Sequence, residues 1–460
     1  MRTPLFLIPL LLWAQGSPAG LVDPMRVHEF TLGNGIELFV QEDHRAPVAI
    51  FQVWYKVGSA DEPPGRTGIS HVLEHMMFKG TERYPGDSFS RIIDANGGEE
   101  NAFTSRDYTA YYELLEHGRL KVAFELEADR MRNLMLKPED FDKERRVVME
   151  ERRMRTEDRP EALAVETLYA LAYDNVPYQH PIIGWMGDLQ ALTLQDLKDW
   201  YRRWYSPANA RLVVVGDVDP QAIRALAEQY FGPLKNHTHP QHRKVTAVPQ
   251  RGPRRAVVRA PAELPFIVIG YRTPSLGGGE NDTDPYVLDV IANLLDGGQS
   301  ARFARELVRG REVAASAGTI YNTYGRYDDL FIVEGVPAQG HTVQDLEQAF
   351  LKQIEALRET PVREDELERV KAQVVAAEIY SRDSISRQAM LIGATETVGL
   401  GWEVLNEYVS RIQAVTPEQV QAAARKYLVP ERRTIVVVEP LPLDGPTPRP
   451  RPTSGQEVVR

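Results

Sequence analysis

The chain has 460 residues, 43% of them hydrophobic, which is more than one ordinary domain requires and enough to bury two cores. Its formal net charge of −11 is scattered over short clusters, with no long Lys/Arg tract and no basic stripe interleaved with aromatics, which argues against a nucleic-acid partner. With no cysteine it forms no disulfide and carries no lipid on an N-terminal cysteine, so any metal must be held by histidine and carboxylate.

The chain opens "MRTPLFLIPLLLWAQGSPAG". Arg2, the apolar run Pro4 to Trp13 and the small residues Ser17-Pro18-Ala19 have the layout of a secretory signal peptide over residues 1–19. The competing reading, a membrane anchor, fails on length, because about 20 apolar residues are needed to span a bilayer. The expected location is periplasmic or secreted, without stable membrane insertion. Next, "RVHEFTLGNGIELFVQED" predicts strand, Gly-Asn-Gly turn and strand, and "APVAIFQVWYKVG" a further strand with Ala49, Phe51, Val53, Tyr55 and Val57 on the buried face. From about Gly68 helical patterns dominate, including "RLKVAFELEADRMRNLML" and "EDFDKERRVVMEERRMRTED".

An internal repeat organises the chain. "ALTLQDLKDWYRRWYSPANARLVVV" from Ala191 aligns without a gap on "AVTPEQVQAAARKYLVPERRTIVVV" from Ala414, matching Thr193 with Thr416, Pro207 with Pro430 and Val213–Val215 with Val436–Val438. Each copy reads as helix start, amphipathic helix, proline break and hydrophobic strand, so a duplicated domain is expected. Two domains are drawn at 25–235 and 253–440. Between them "KNHTHPQHRKVTAVPQRGPRR" reads as a linker over 236–252, with His237, His239 and His242 solvated and only adventitiously metal-binding. The Pro-rich tail 441–460 is expected to be disordered, and "TPSLGGGEND" to be a flexible loop.

The chemistry concentrates in "HVLEHMMFKG". On a helix His71 and His75 are i and i+4, so their imidazoles project from one face and can grip one zinc ion, while Glu74 beside them can serve as a base. Gly80 is a suitable helix stop. A lone pair of helical histidines is weak evidence. A third ligand is sought in "DKERRVVMEERRMR", where Glu144 and Glu151, seven residues apart, share a face with Val147 and Val148 between them.

These motifs resemble the inverted-motif zinc peptidases of the M16 group, which includes pitrilysin, insulinase and the mitochondrial processing peptidase. That family pairs HxxEH with a glutamate 75 intervening residues later, and counting from His75 lands on Glu151. The resemblance implies one zinc per chain on His71, His75 and Glu151, Glu74 as the base acting on water, and Glu144 supporting the zinc ligands. Glu150 is one residue out of register and points about 100° away on the helix. "VGSADEPPGRTGISHVLEHMMFKGT", "GGEENAFTSRDYTAYY" and "YQHPIIGW" are similar to further blocks of the family, over roughly residues 25 to 440. The implied fold is α+β: two tandem homologous domains, each a mostly antiparallel sheet backed by helices, as in the mitochondrial processing peptidase and LuxS-like metallohydrolases.

From its own residues, "NAFTSRDYTAYY" reads as one strand over Asn101 to Tyr112 whose exposed edge can accept an extended peptide, or else as an interior strand with Phe103 and Tyr111 in the core. Asn101 and Ala102 are the candidate substrate contacts. The family's second half carries an Arg and a Tyr that hold the substrate, in a run like SRLFQELREKRGLAY. Here "SARFARELVRGREVAAS" keeps Arg302 but places Ala315 at the tyrosine. Loss of an oxyanion donor costs on the order of a hundredfold in rate. Tyr321 or Tyr324 could substitute, the alignment could shift, or a second chain could supply the pair. The expectation is a partner chain lacking HxxEH in a heterodimer, or else a homodimer, acting on peptides or unfolded protein segments. The rival readings are a non-catalytic peptide-binding or scaffold subunit and a zinc hydrolase acting on something other than peptides.

Overall fold

In the computed structural model the described residues are 24–236, 241–242, 245–278 and 283–443. The signal-peptide reading, His237, His239, the end of the "TPSLGGGEND" loop and the tail from 444 onward lie outside them. No described helix is long and apolar enough to cross a membrane.

The first sheet contains β1 (Val27–Thr31), β2 (Glu37–Glu42), β3 (Val48–Tyr55), β4 (Glu99–Thr104), β5 (Thr109–Glu116) and β6 (Ala210–Gly216), in the order β1-β2-β6-β3-β5-β4. The second contains β7 (Arg254–Pro261), β8 (Phe266–Thr273), β9 (Ala314–Ile320), β10 (Asp329–Pro337) and β11 (Arg433–Leu441), in the order β7-β11-β8-β10-β9. β2 runs parallel to β6 and β7 parallel to β11, while every other pairing in both sheets is antiparallel. Five strands of each sheet therefore share one topology, and β1 is an addition to the first. The repeat carries its local chemistry too: Thr193 and Thr416 each close a capping box, with Asp196 and Gln419 respectively, at the start of matching helices Leu194–Trp204 and Pro417–Tyr427.

The Asn101 to Tyr112 stretch is a hairpin rather than one strand, with β4 on the outer edge of the sheet and Ser105–Tyr108 turning the chain into β5. The break falls where Ser105 and Arg106 give their carbonyls to Ser59 and Ala60. Tyr111 on β5 is in the core as an interior strand requires, whereas Phe103 on the edge strand β4 is only partly buried.

β3 departs from simple alternation, since Ile50, Gln52 and Trp54 are as buried as Phe51 and Val53. The cause is an exchange of helices between the halves. Ile385–Val398, from the second half, lies across β3 and β6 and packs Ala389 and Ile392 against Ile50, Trp54 and Val213. Reciprocally, Pro160–Ala172 from the first half lies across β8 and β11, packing Ala164 and Leu168 against Val268 and Val436. Both faces of each sheet are covered, which is why the central strands read as continuous apolar runs. The linker joins this interface: Val245 and Ala247 pack against the second of these cores, and Asn175 holds the backbone at Thr246 and Val248. His242 is not a solvated linker residue, because it is stacked on Trp204 and bonded to Asp61 at 2.8 Å.

Candidate metal centre and active site

Two helices and one edge strand build the site. Ile69–Met76 is a short amphipathic helix whose Val72, Leu73 and Met76 enter the core, leaving His71, Glu74 and His75 partly exposed on the other side. Gly68 starts it with φ +85°, a conformation that favours glycine, and a Cβ there would lie 2.4 Å from the Ile183 carbonyl. Glu62 replaces the missing side-chain cap: its carboxylate accepts from Gly68 N at 2.7 Å and Ser70 N at 2.9 Å. The second helix, Pro138–Arg152, buries Phe141, Glu144 and Val148 and then widens into a π-type turn over Arg153–Glu157. Val147, expected between the two glutamates in a partly buried site, is instead 43% exposed, because only Val148 turns toward the core. Glu150 points away and pairs with Arg153.

His71, His75 and Glu151 converge, with one ligand atom from each lying within 4.8 Å of the others. Glu151 Oε2 is 3.3 Å from His75 Nε2 and 3.7 Å from His71 Nε2. Donors at zinc-bond lengths on a tetrahedron stand roughly 3.3–3.5 Å apart, so this set is the right size and chemistry for a zinc ion. His75 Nδ1 faces Glu144 Oε2 at 3.4 Å, an arrangement that keeps the proton on Nδ1 and turns Nε2 toward the cluster. Glu144 is fixed in turn by Lys79 Nζ at 2.8 Å. Burial pushes the Glu151 carboxyl up, but its bond to His75 and the charges of His71, Arg155 and His75 outweigh that and hold it at about 2. It is ionised at any physiological pH.

Glu74 is bonded to the edge strand, with Thr104 Oγ1 donating to Glu74 Oε2 at 2.5 Å. The strand expected to receive a peptide thus contacts the expected base. Asn101 lies on β4, where its side chain accepts from Ala102 N, and Asn101 is exposed while Ala102 is buried. Arg302 is not part of this cluster. Its guanidinium forms a two-pronged bond to Glu366 at 3.0 and 2.8 Å, and Ala315 stands on β9 in the same half. Tyr321 gives its hydroxyl to the Pro274 carbonyl at 2.6 Å, and Tyr324 is packed against the Ile385–Val398 region.

Sequence reasoning missed Glu62, Thr104, Lys79 and Arg155. Thr104 lies in a block already singled out, but Glu62 has no local signature, being an acidic residue in a loop that acts on amides six and eight residues on. The "YQHPIIGW" block also ties the two metal-site helices together, since Gly184 abuts Thr67 and Arg152, next to Glu151, donates to the Gly184 carbonyl at 2.9 Å.

The duplicated α+β architecture, with an HxxEH helix set against a distant glutamate, is that of the M16 peptidase group. Family models agree: residues 38–185 match the insulinase domain of peptidase family M16 and residues 191–374 the peptidase M16 inactive domain. The chain is 31% identical over 418 residues to the zinc protease PqqE of Helicobacter pylori, covering 89% of this chain and 92% of the relative. It is 26% identical over 419 residues to the uncharacterized zinc protease YmxG of Bacillus subtilis, covering 90% and 98%. Among solved structures it superposes on a protease from Helicobacter pylori with TM-score 0.86 at 30% identity, covering 90% of this chain and all of that one. The periplasmic protease PqqL of Escherichia coli shares the fold with TM-score 0.75 at 18% identity, over 90% of this chain but 48% of that one. The protein belongs to peptidase family M16.

Proposed function

We propose that the protein is a zinc-dependent endopeptidase acting on peptides or unfolded segments bound as an added strand on β4. The observation that carries this reading is the convergence of His71, His75 and Glu151, with Glu74 beside them bonded to Thr104 of that edge strand. Zinc held by the three ligands would supply a Lewis acid that polarises the scissile carbonyl and makes water more acidic. Glu74 takes the proton of the attacking water and returns it to the leaving amine. Glu144 holds the His75 ring in orientation, and β4 presents backbone donors and acceptors that align the peptide without reading its side chains. Asn101 and Ala102 contact the peptide from β4.

Arg302 is committed to Glu366 and Ala315 offers no hydroxyl, which supports a second chain, a relative lacking HxxEH or another copy, completing the substrate clamp. In this reading residues 25–235 form the zinc-bearing domain and 253–440 its companion, and residues 1–19 direct export to the periplasm or medium before removal.

The test is hydrolysis of a quenched-fluorescent peptide mixture by the zinc-loaded chain, with Glu74→Gln as control. Glu74-dependent cleavage is expected, alone or once the partner is added. A folded, zinc-loaded protein that shows no Glu74-dependent cleavage in either state would leave the peptide-binding scaffold as the better reading.

A further inference from the structure

The zinc helix and the substrate strand meet at a buried ionic junction whose central cation belongs to the other half of the molecule. Arg326, in the turn between β9 and β10, has an 11% exposed side chain. Its Nη2 donates to Asp61 at 3.2 Å, its Nε lies 3.1 Å from Asp107, and its backbone N donates to Asp107 at 3.1 Å. Tyr178 donates to the same Asp107 carboxylate at 2.5 Å, and His242 approaches both Asp61 and Arg326. Burial pushes the Asp107 carboxyl up, and Arg326 is the charge that opposes the rise.

Each carboxylate leads directly into the active site. Asp61 closes the turn at residues 58–61 by accepting from Gly58 N at 3.1 Å, and the next residue, Glu62, holds the first amides of the helix bearing His71, Glu74 and His75. Asp107 sits in the turn that ends β4, three residues beyond the Thr104 that bonds Glu74. The two turns are laid on one another, with Ser59 N on the Ser105 carbonyl at 3.1 Å and Ala60 N on that of Arg106 at 2.8 Å. The approach is so close that a Cβ at Gly58 would lie 2.4 Å from the Ser105 oxygen. Arg326 therefore bridges the loop that starts the zinc helix and the turn that ends the substrate strand.

We infer that Arg326 is a positioning residue for the peptidase site: through Asp61 and Asp107 it sets the zinc helix in register with the β4 edge, so the C-terminal half contributes to catalysis without reaching the metal. This rests on the peptidase reading proposed for the site. Without the guanidinium, two buried carboxylates lose their shared counter-charge and repel one another, and the two turns are pushed apart. Displacements of about 1 Å in an active site cost on the order of a hundredfold in rate.

The test compares the zinc-loaded full chain with Arg326→Gln, Arg326→Lys and Gln388→Leu. The last removes a different buried contact between the halves, from the Ile385–Val398 helix to Asp43 at 3.1 Å, far along the chain from residues 58–62. Three quantities are read: kcat and KM on a fluorogenic peptide, the rate of zinc loss to a chelator, and hydrogen exchange of residues 58–76 and 99–107. Arg326→Gln is expected to lower kcat by roughly ten- to a hundredfold, to speed zinc loss, and to raise exchange in both segments. Arg326→Lys recovers part of each effect, and Gln388→Leu, at a comparable fall in Tm, shows none of them. Equal behaviour of Arg326→Gln and Gln388→Leu, or unchanged exchange at 58–76, would reduce Arg326 to general domain adhesion. Should Arg326→Gln not fold, Asp61→Asn removes the negative charge from one of the two contacts and carries the same comparison. If the wild-type protein cleaves no peptide either alone or with its partner, the peptidase reading fails on its own, while zinc loss and exchange of the chain still decide the role of Arg326.

Discussion

The helices Ile69–Met76 and Asp284–Asp296 occupy equivalent places in the two halves: each follows the central antiparallel strand, β3 or β8, and packs on the outer edge strand, β4 or β9. Laid in register, His71-Val72-Leu73-Glu74-His75 falls on Tyr286-Val287-Leu288-Asp289-Val290. The companion helices Pro138–Arg152 and Glu364–Ser381 align through buried Phe141 and Leu367, which places Glu144 on Val370 and Glu151 on Ala377. One scaffold thus carries the candidate metal cluster in one half, and in the other buried Tyr286, Val290 and Val370 with an exposed Ala377. Only the acidic position survives, and Asp289 there is a partly buried acceptor for the Tyr408 hydroxyl at 2.6 Å. Fold is shared and this set of residues is not, because the three candidate ligands with Glu74 and Glu144 occupy only five side-chain positions that the backbone does not constrain.

The largest expected effect separates Glu74 from Asp289. Glu74→Gln should lower peptide hydrolysis by about 10²- to 10⁴-fold, the usual worth of a general base, while Asp289→Asn, which still accepts from Tyr408, should leave turnover intact. Comparable losses in steady-state assays of both variants would break the contrast between the halves. Next comes metal content. Elemental analysis should find a single zinc per chain, reduced to background in His75→Ala, and a second tightly held zinc would mean that the C-terminal half is not an apolar relic of the site.

Packing gives a smaller and signed comparison. Val213 faces Gln52 and Val436 faces Val268, so Trp54 and Gly270 stand at equivalent sheet positions two residues on. The exchanged helices answer in opposite sizes: Gly393 lies under Trp54, where a Cβ would be 2.0 Å from the ring, and Leu168 lies over Gly270, where a Cβ would be 3.1 Å from its tip. Gly393→Ala should therefore destabilise by about 1–3 kcal/mol in denaturant melts, whereas Gly270→Ala, facing leucine tips that can yield, should cost at most about 1 kcal/mol. The reverse order would show that the two interfaces do not bear load as their geometry indicates. The smallest effect tests symmetry itself. Thr193→Ala and Thr416→Ala remove matching helix caps, and each should cost about 1 kcal/mol. Unequal melting shifts would show that the halves differ in local stability despite their shared topology.

Much of the site was legible in the chain. His71, Glu74 and His75 are tied by one helical turn, and Glu144 and Glu151 by two, so their relative directions follow from helix geometry alone. The pairing of those two helices across 75 residues was legible only through resemblance to a family, because no local rule connects them. Glu62 and Arg326 were illegible for a physical reason: their partners are backbone amides and carboxylates brought close by packing, and neither residue stands in a periodic pattern.

The sequence by itself determined the duplication, the residue types open to a metal, and the strands β1, β2, β3, β6 and β11, since periodicity, spacing and the absence of cysteine are properties of the chain before it folds. Only the tertiary structure decided that each half lends a helix to the other's sheet, that β3 is buried on both faces, that "NAFTSRDYTAYY" turns back on itself, and that His242 is docked beside Asp61. These are outcomes of contacts between residues far apart in the chain. Their energies depend on which surfaces meet, and a linear pattern of apolar and polar residues states that a surface must be covered without stating by what.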